Sequence, residues 1–215
     1  MRKLISAVVS AVLLPTAVLA AAPGDAAKAK TETPAAAKPA DAGKSADAGK
    51  SADAPAIPAG WTLVNAPDGK FRAAFPSKPT VENSTEDTEA GKAQTVTYAV
   101  SSDKDGSYLA VAVTKFPDGT VSQALPTQVL EGARDGALAN VNGNLISDKS
   151  VMVDGPKGGK KRLFPGRDYE ATGPQGMRIS SRLILVEDRL YQIINVRMSE
   201  KNDAFKQLIS TFTLQ

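Results

Sequence analysis

The sequence predicts an α+β domain: a mostly antiparallel sheet of six or more strands together with two helices. Three observations carry this. Met177 to Met198 sets apolar residues at alternate positions on either side of Glu187-Asp188, so that they share one face as in a long β-hairpin. Several upstream segments of strand length are apolar or alternating and end in Gly, Pro or Asp. Only two segments, 121–141 and 203–212, repeat their apolar residues at helical spacing.

The chain opens with a secretory signal over residues 1–20. Arg2 and Lys3 lead an apolar run from Leu4 to Leu19, and Val18-Leu19-Ala20 suits cleavage after Ala20. The alternative is an uncleaved anchor, since Leu4 to Ala22 is just long enough to span a bilayer; Pro15 and the small-residue end favour removal. No cysteine follows, which excludes a lipid-anchored lipoprotein. Residues 21–56 are an Ala/Lys/Asp/Pro-rich, low-complexity linker in which ADAGKS occurs twice in succession. It holds no apolar residue larger than Ala or Pro after Gly24, so it cannot bury enough surface to offset its ordering entropy and reads as a disordered tether. Residues 57–215 form the single globular domain, large enough to rely on its own core. With neither cysteine nor histidine in the chain, export without disulfides points to a bacterial periplasm, or to secretion.

Within the domain, Trp61 to Val64 and Gly69 to Phe75 are two short strands joined by Pro67-Asp68-Gly69, with Phe71, Ala73 and Phe75 on one face. Pro76 and Pro79 end the second, and Glu82 to Ala90 reads as a polar, acidic loop. Gln94 to Val100 and Ser107 to Lys115 form a hairpin whose second strand is nearly all apolar and therefore central. Thr120 to Gln123 resembles a capping box, and Pro126 fits a first helical turn, so the helix begins between Val121 and Pro126 and ends at Asn142-Gly143. Strands follow at 144–153 and 161–171, linked by a basic loop from Gly155 to Lys161. Asn202 caps a last helix with Phe205, Leu208, Ile209 and Phe212 in one stripe.

The central hairpin holds its register by hydrophobicity. Leu185 faces Leu190, Ile179 faces Val196 and Met177 faces Met198; a slip of one residue would set this row against Arg178 and Arg182. The other face carries Ile184, Val186, Tyr191 and Ile193 near the turn, then Ser180, Asn195, Arg178 and Arg197 further away. That end of the hairpin near the turn is apolar on both faces and calls for cover on both.

Gly69-Lys70-Phe71 leading to Phe75-Pro76-Ser77-Lys78-Pro79, then Arg189-Leu190-Tyr191 and Ser210-Thr211-Phe212, resemble the beginning and end of bacterial exported domains of the PsbP-like superfamily. Pro165-Gly166-Arg167-Asp168 is similar to a turn of some exported relatives. The resemblance spans Trp61 to Leu214 and implies an antiparallel sheet between helices, an α/β/α sandwich, with a non-enzymatic accessory role. It supplies no matched functional residue.

Composition excludes much chemistry. Without His or Cys there is no Ser-His-Asp or Cys-His site, no thiol redox and no ordinary zinc or haem centre. No catalytic residue, metal site or cofactor is implied. Glu82, Glu86, Asp87 and Glu89 offer carboxylates for a hydrolase but read as solvated loop charge. The 155–161 loop lacks phosphate-loop spacing and precedes a strand, and Asp103 with Asp105 lacks the remaining ligands of a calcium loop. Trp61 reads as a core plug before a sugar platform. Residues 57–148 carry a net charge of −4 and 149–215 of +5, a local imbalance too small to imply nucleic-acid binding. Membrane association follows only if the signal is retained.

One constellation costs free energy to build. Arg178 faces Arg197 across the hairpin and Arg182 shares their face, and like charges opposite each other destabilise a sheet. Pairing with Asp168 or Glu170 explains them structurally; an anion-binding site at Arg178, Arg182 and Arg197 explains them functionally. The expected function is an exported, non-enzymatic accessory or binding domain acting on a protein or a small anionic ligand. An anionic-ligand-binding protein and a small carboxylate-dependent hydrolase are the alternatives.

Overall fold

The computed structural model describes residues 56–88, 91–102, 106–121, 124–156, 162–198 and 203–215. The strands are β1 (Thr62–Ala66), β2 (Phe71–Phe75), β3 (Thr80–Thr88), β4 (Gly91–Ser102), β5 (Ser107–Lys115), β6 (Asn144–Asp154), β7 (Leu163–Thr172), β8 (Arg178–Val186), β9 (Arg189–Arg197) and β10 (Thr213–Leu214). The helices are α1 (Pro126–Asn140) and α2 (Ala204–Thr211). One sheet has seven strands in the order β3-β4-β5-β9-β8-β7-β6, and a second has three, β1-β2-β10.

The central hairpin is where its alternation puts it. β8 and β9 pair with Leu185 opposite Leu190, Ile179 opposite Val196 and Arg178 opposite Arg197. β9 is the fourth of seven strands, and β5 beside it is buried along almost its whole length, as a strand apolar on both faces must be. On one face of the large sheet, Ile179, Leu183, Leu185, Leu190 and Ile194 join Leu130, Ala133 and Leu138 of α1. On the other, Ile184, Tyr191, Ile193, Val111 and Val113 join Phe71, Ala73, Phe75, Leu208 and Leu214. Trp61 packs at the border of this second cluster, half-buried.

Helix α1 begins with Pro126 in its first turn, behind Leu125, which gives no side-chain cap. It ends where Asn142 enters the left-handed region at φ 49°. Gly143 N–H donates to Leu138 O at 2.8 Å and Asn142 N–H to Ala139 O at 3.2 Å, the paired bonds of a Schellman ending.

Four expectations need correction. The sheet is not sandwiched between helix layers: β1, β2 and β10 form a second sheet over one face, with α2 beside it, so the fold is mostly β. Phe71, Ala73 and Phe75 supply the buried face of that cover, and Thr213–Leu214 continues past α2 to pair with β2. Residues 80–88 are not a loop but edge strand β3, paired along its length with β4. Its residues are almost all exposed, so no apolar alternation marks it in the sequence. Pro165 to Asp168 is not a turn; it lies inside β7, where Gly166 approaches β8 so closely that a Cβ would sit 2.7 Å from Leu183 O. Asp203, not Asn202, occupies the N-cap position of α2. Asn202, the signal, the linker to residue 55, Glu89, Asp103 with Asp105, Ser122-Gln123 of the capping box and residues 157–161 of the basic loop lie outside the described residues.

Candidate functional site: an arginine pair at the open end of the central hairpin

The polarity of the hairpin changes along its length on the face that the small sheet covers. Near the turn that face carries Ile184, Tyr191 and Ile193, which are buried in the second cluster. Towards the open end it carries Ser180, Arg178, Asn195 and Arg197, where the cross-strand ladder sets Arg178 against Arg197 and Ser180 against Asn195. The polar residues thus begin where the aromatic cover stops.

The three candidate arginines divide. Arg182 is committed to structure: opposite Asp168 in the β7–β8 ladder, it donates through Nε at 2.6 Å and Nη2 at 2.8 Å to the two oxygens of that carboxylate. This bidentate pair is the strong geometry for a guanidinium, and it takes Arg182 out of the site. Arg178 and Arg197 instead rim a hollow of about 180 Å³, together with Ile146, Glu170, Ala171 and Ile179. Arg197 is positioned by Nη1, which donates to Ser180 Oγ at 2.8 Å, while its Nε is buried without a hydrogen-bond partner among the described residues. Asn195, two residues before it on the same face, is fully buried and its side-chain amide is likewise without partners among the described residues.

Guanidiniums stay protonated at any ordinary pH, so this arrangement can hold and orient an anion but cannot pass protons. Glu170, exposed at the rim, is the one acidic side chain among the described residues that line the hollow. The carboxylates considered for hydrolysis are elsewhere. Glu82, Glu86 and Asp87 run along exposed edge strand β3, with Asp87 ion-paired to Lys92 at 2.9 Å. Partial burial pushes the Glu86 carboxyl up, but none of the three lines either hollow described in this structure. Among the described residues, no group of three acidic side chains is placed to hold a metal ion.

A second arginine cluster lies on the opposite face of the sheet, and the local sequence carries only one sign of it. Arg167 of β7 and Arg134 of α1 both donate to Asp148 Oδ2 of β6. Arg167 also donates to Glu131 Oε1 at 2.8 Å, and Arg134 to Asp135 Oδ1 at 2.8 Å. The bond to Asp135 raises the Arg134 pKa against the lowering effect of burial. The network clamps α1 to β6 and β7. The available signal was period two: Arg167 alternates with Tyr169 and Ala171 onto the buried face of its strand.

No family model and no curated protein matches the chain. Among solved structures, the chain is similar to the solution structure of cyanobacterial PsbP (CyanoP) from Synechocystis sp. PCC 6803. The identity is 10%, the match covers 72% of this chain and 92% of that one, and the TM-score is 0.47. A likeness of that order concerns the run of the backbone and says nothing about ligands or role.

Proposed function

We propose that this chain is an exported, non-enzymatic accessory domain that binds an anionic group, a carboxylate of a partner protein or of a small acid, between Arg178 and Arg197. In this reading residues 1–20 direct export to the periplasm or the medium, and residues 21–56 tether the domain. One observation supports it most: two guanidiniums stand directly opposite each other at the rim of a hollow, one with a buried, unpartnered Nε. Like charges set face to face across a ladder are unfavourable on their own.

The test is thermal stability in citrate against chloride at matched ionic strength. An anion that binds only the native state raises the melting temperature by mass action. Citrate should therefore stabilise the wild-type protein, and the Arg178→Gln, Arg197→Gln double variant should lose that increment. An unchanged increment in the double variant would show general exclusion of the salt from the surface and end the proposal.

A further inference from the structure

At the turn end of the same hairpin a separate crevice opens between the two sheets. It has a volume of about 300 Å³, at the lower end of the range for ligand pockets. Its floor is apolar: Phe164 of β7, Val186 of β8, Tyr191 of β9 and Leu214 of β10 all line it. Its rim is cationic, formed by Lys70, Arg162 and Arg189. Glu187, the one acidic side chain among the described lining residues, is already paired with Arg162 at 3.5 Å, and the main chain of Gln215 also borders the crevice.

The rim is held in place from several directions. Arg162 lies over the Phe164 ring with 5.5 Å to its centroid. Arg189 donates from Nη1 to Asp68 O at 3.0 Å. Lys70 sits at φ 51° and Glu187 at φ 54°, left-handed conformations in which a side chain is strained and glycine is not. Gln215 N–H donates to Lys70 O at 2.9 Å and fixes that backbone. Two of the four non-glycine residues with positive φ among the described residues therefore border one crevice, and strain of this kind concentrates at ligand sites.

We infer that this crevice binds a small amphipathic carboxylate, its apolar chain or ring against Phe164, Val186 and Leu214 and its carboxylate among Lys70, Arg162 and Arg189. Neither half of the site suffices alone. The floor would take any apolar fragment, and the rim any anion; only a molecule with both uses the whole surface. The site is independent of the arginine pair at the opposite end of the hairpin.

Calorimetric titration of the exported chain with octanoate, 1-octanol and acetate tests this. Octanoate should bind saturably and about tenfold or more tighter than either partial analogue. Lys70→Gln with Arg162→Gln, both at exposed positions, should weaken octanoate about tenfold. The Arg178→Gln, Arg197→Gln variant should bind it as the wild type does. Methyl resonances of Val186 and Leu214 should shift on octanoate addition to the wild-type chain, a readout that survives if the rim variant fails to fold. No saturable binding, equal affinity for octanol, or loss of binding only in the Arg178/Arg197 variant would each overturn the proposal.

Discussion

Arg167 and Arg197 belong to the same sheet, on strands separated only by β8, and they are used in opposite ways. Arg167 points to the α1 face, where Asp148 and Glu131 both accept from it and its side chain is 10% exposed. Arg197 points to the other face, where its ladder neighbour is a second arginine and its Nη1 donates to a neutral hydroxyl. Arg182 stands between these cases, matched by a single carboxylate at 23% side-chain exposure. The difference lies in what the neighbouring elements supply. α1 and β6 bring acids to Arg167, β7 brings one to Arg182, and β9 brings another cation to Arg178. A guanidinium matched by the fold's carboxylates is part of its scaffold, whereas Arg197, facing a second cation at a hollow, meets a neutral hydroxyl.

The largest effect that sharpens this contrast comes from alkali, which leaves all the arginines charged while titrating the aromatic core. All four tyrosines are pushed up from the ordinary value of 10.0: Tyr98, Tyr108 and Tyr169 by burial, and Tyr191, also by burial, to about 12. The native state therefore keeps protons that the unfolded chain releases. Stability is intact below pH 10 and falls as pH rises towards 12, because over that window the unfolded state binds fewer protons. Tyrosinate absorbance should appear together with loss of the folded circular-dichroism signal; normal phenol titration in a still-folded domain would contradict the burial. Next in size, Arg167→Ala leaves Asp148 to Arg134 alone and Glu131 to solvent, and should cost about 2–4 kcal/mol in denaturant unfolding. A loss below about 1 kcal/mol would make the clamp a surface pair. Arg182→Ala should cost less, about 1–3 kcal/mol, since water still reaches Asp168. Smallest is the double variant Arg178→Gln, Arg197→Gln, which relieves a like-charge pair and should gain a few tenths of a kcal/mol in chloride. A marked loss there would place these arginines with Arg167 as scaffold.

How much of this was legible in the sequence depends on the range of the interaction. The β8–β9 register was legible because Ile179, Leu183 and Leu185 share one face with Leu190, Ile194 and Val196 across a two-residue turn, and a slip would set that row against arginine. The facing of Arg178 and Arg197 follows from that register, and Asp168 was readable as a partner for the nearby β8 arginines. Strand β3 was not legible, because an edge strand exposed along its length needs no apolar face. The second sheet was hidden because β10 is two residues long and pairs with β2 from the far end of the chain. The clamp was hidden for the same reason: Glu131 and Arg167 are 36 residues apart, and only the placement of α1 over β6 and β7 brings them together. The hollow at Arg178 and Arg197 depends likewise on β6 and β7, which contribute Ile146 and Glu170.

The claim that scaffold and site arginines differ is tested most directly by following the side-chain Nε–Hε resonances of all four during a citrate titration. Saturable shifts should appear at Arg178 and Arg197 with a common midpoint, while Arg167 and Arg182, held by Asp148, Glu131 and Asp168, stay unmoved. Shifts at Arg182 equal to those at Arg197, or no saturable shift at any of them, would contradict it.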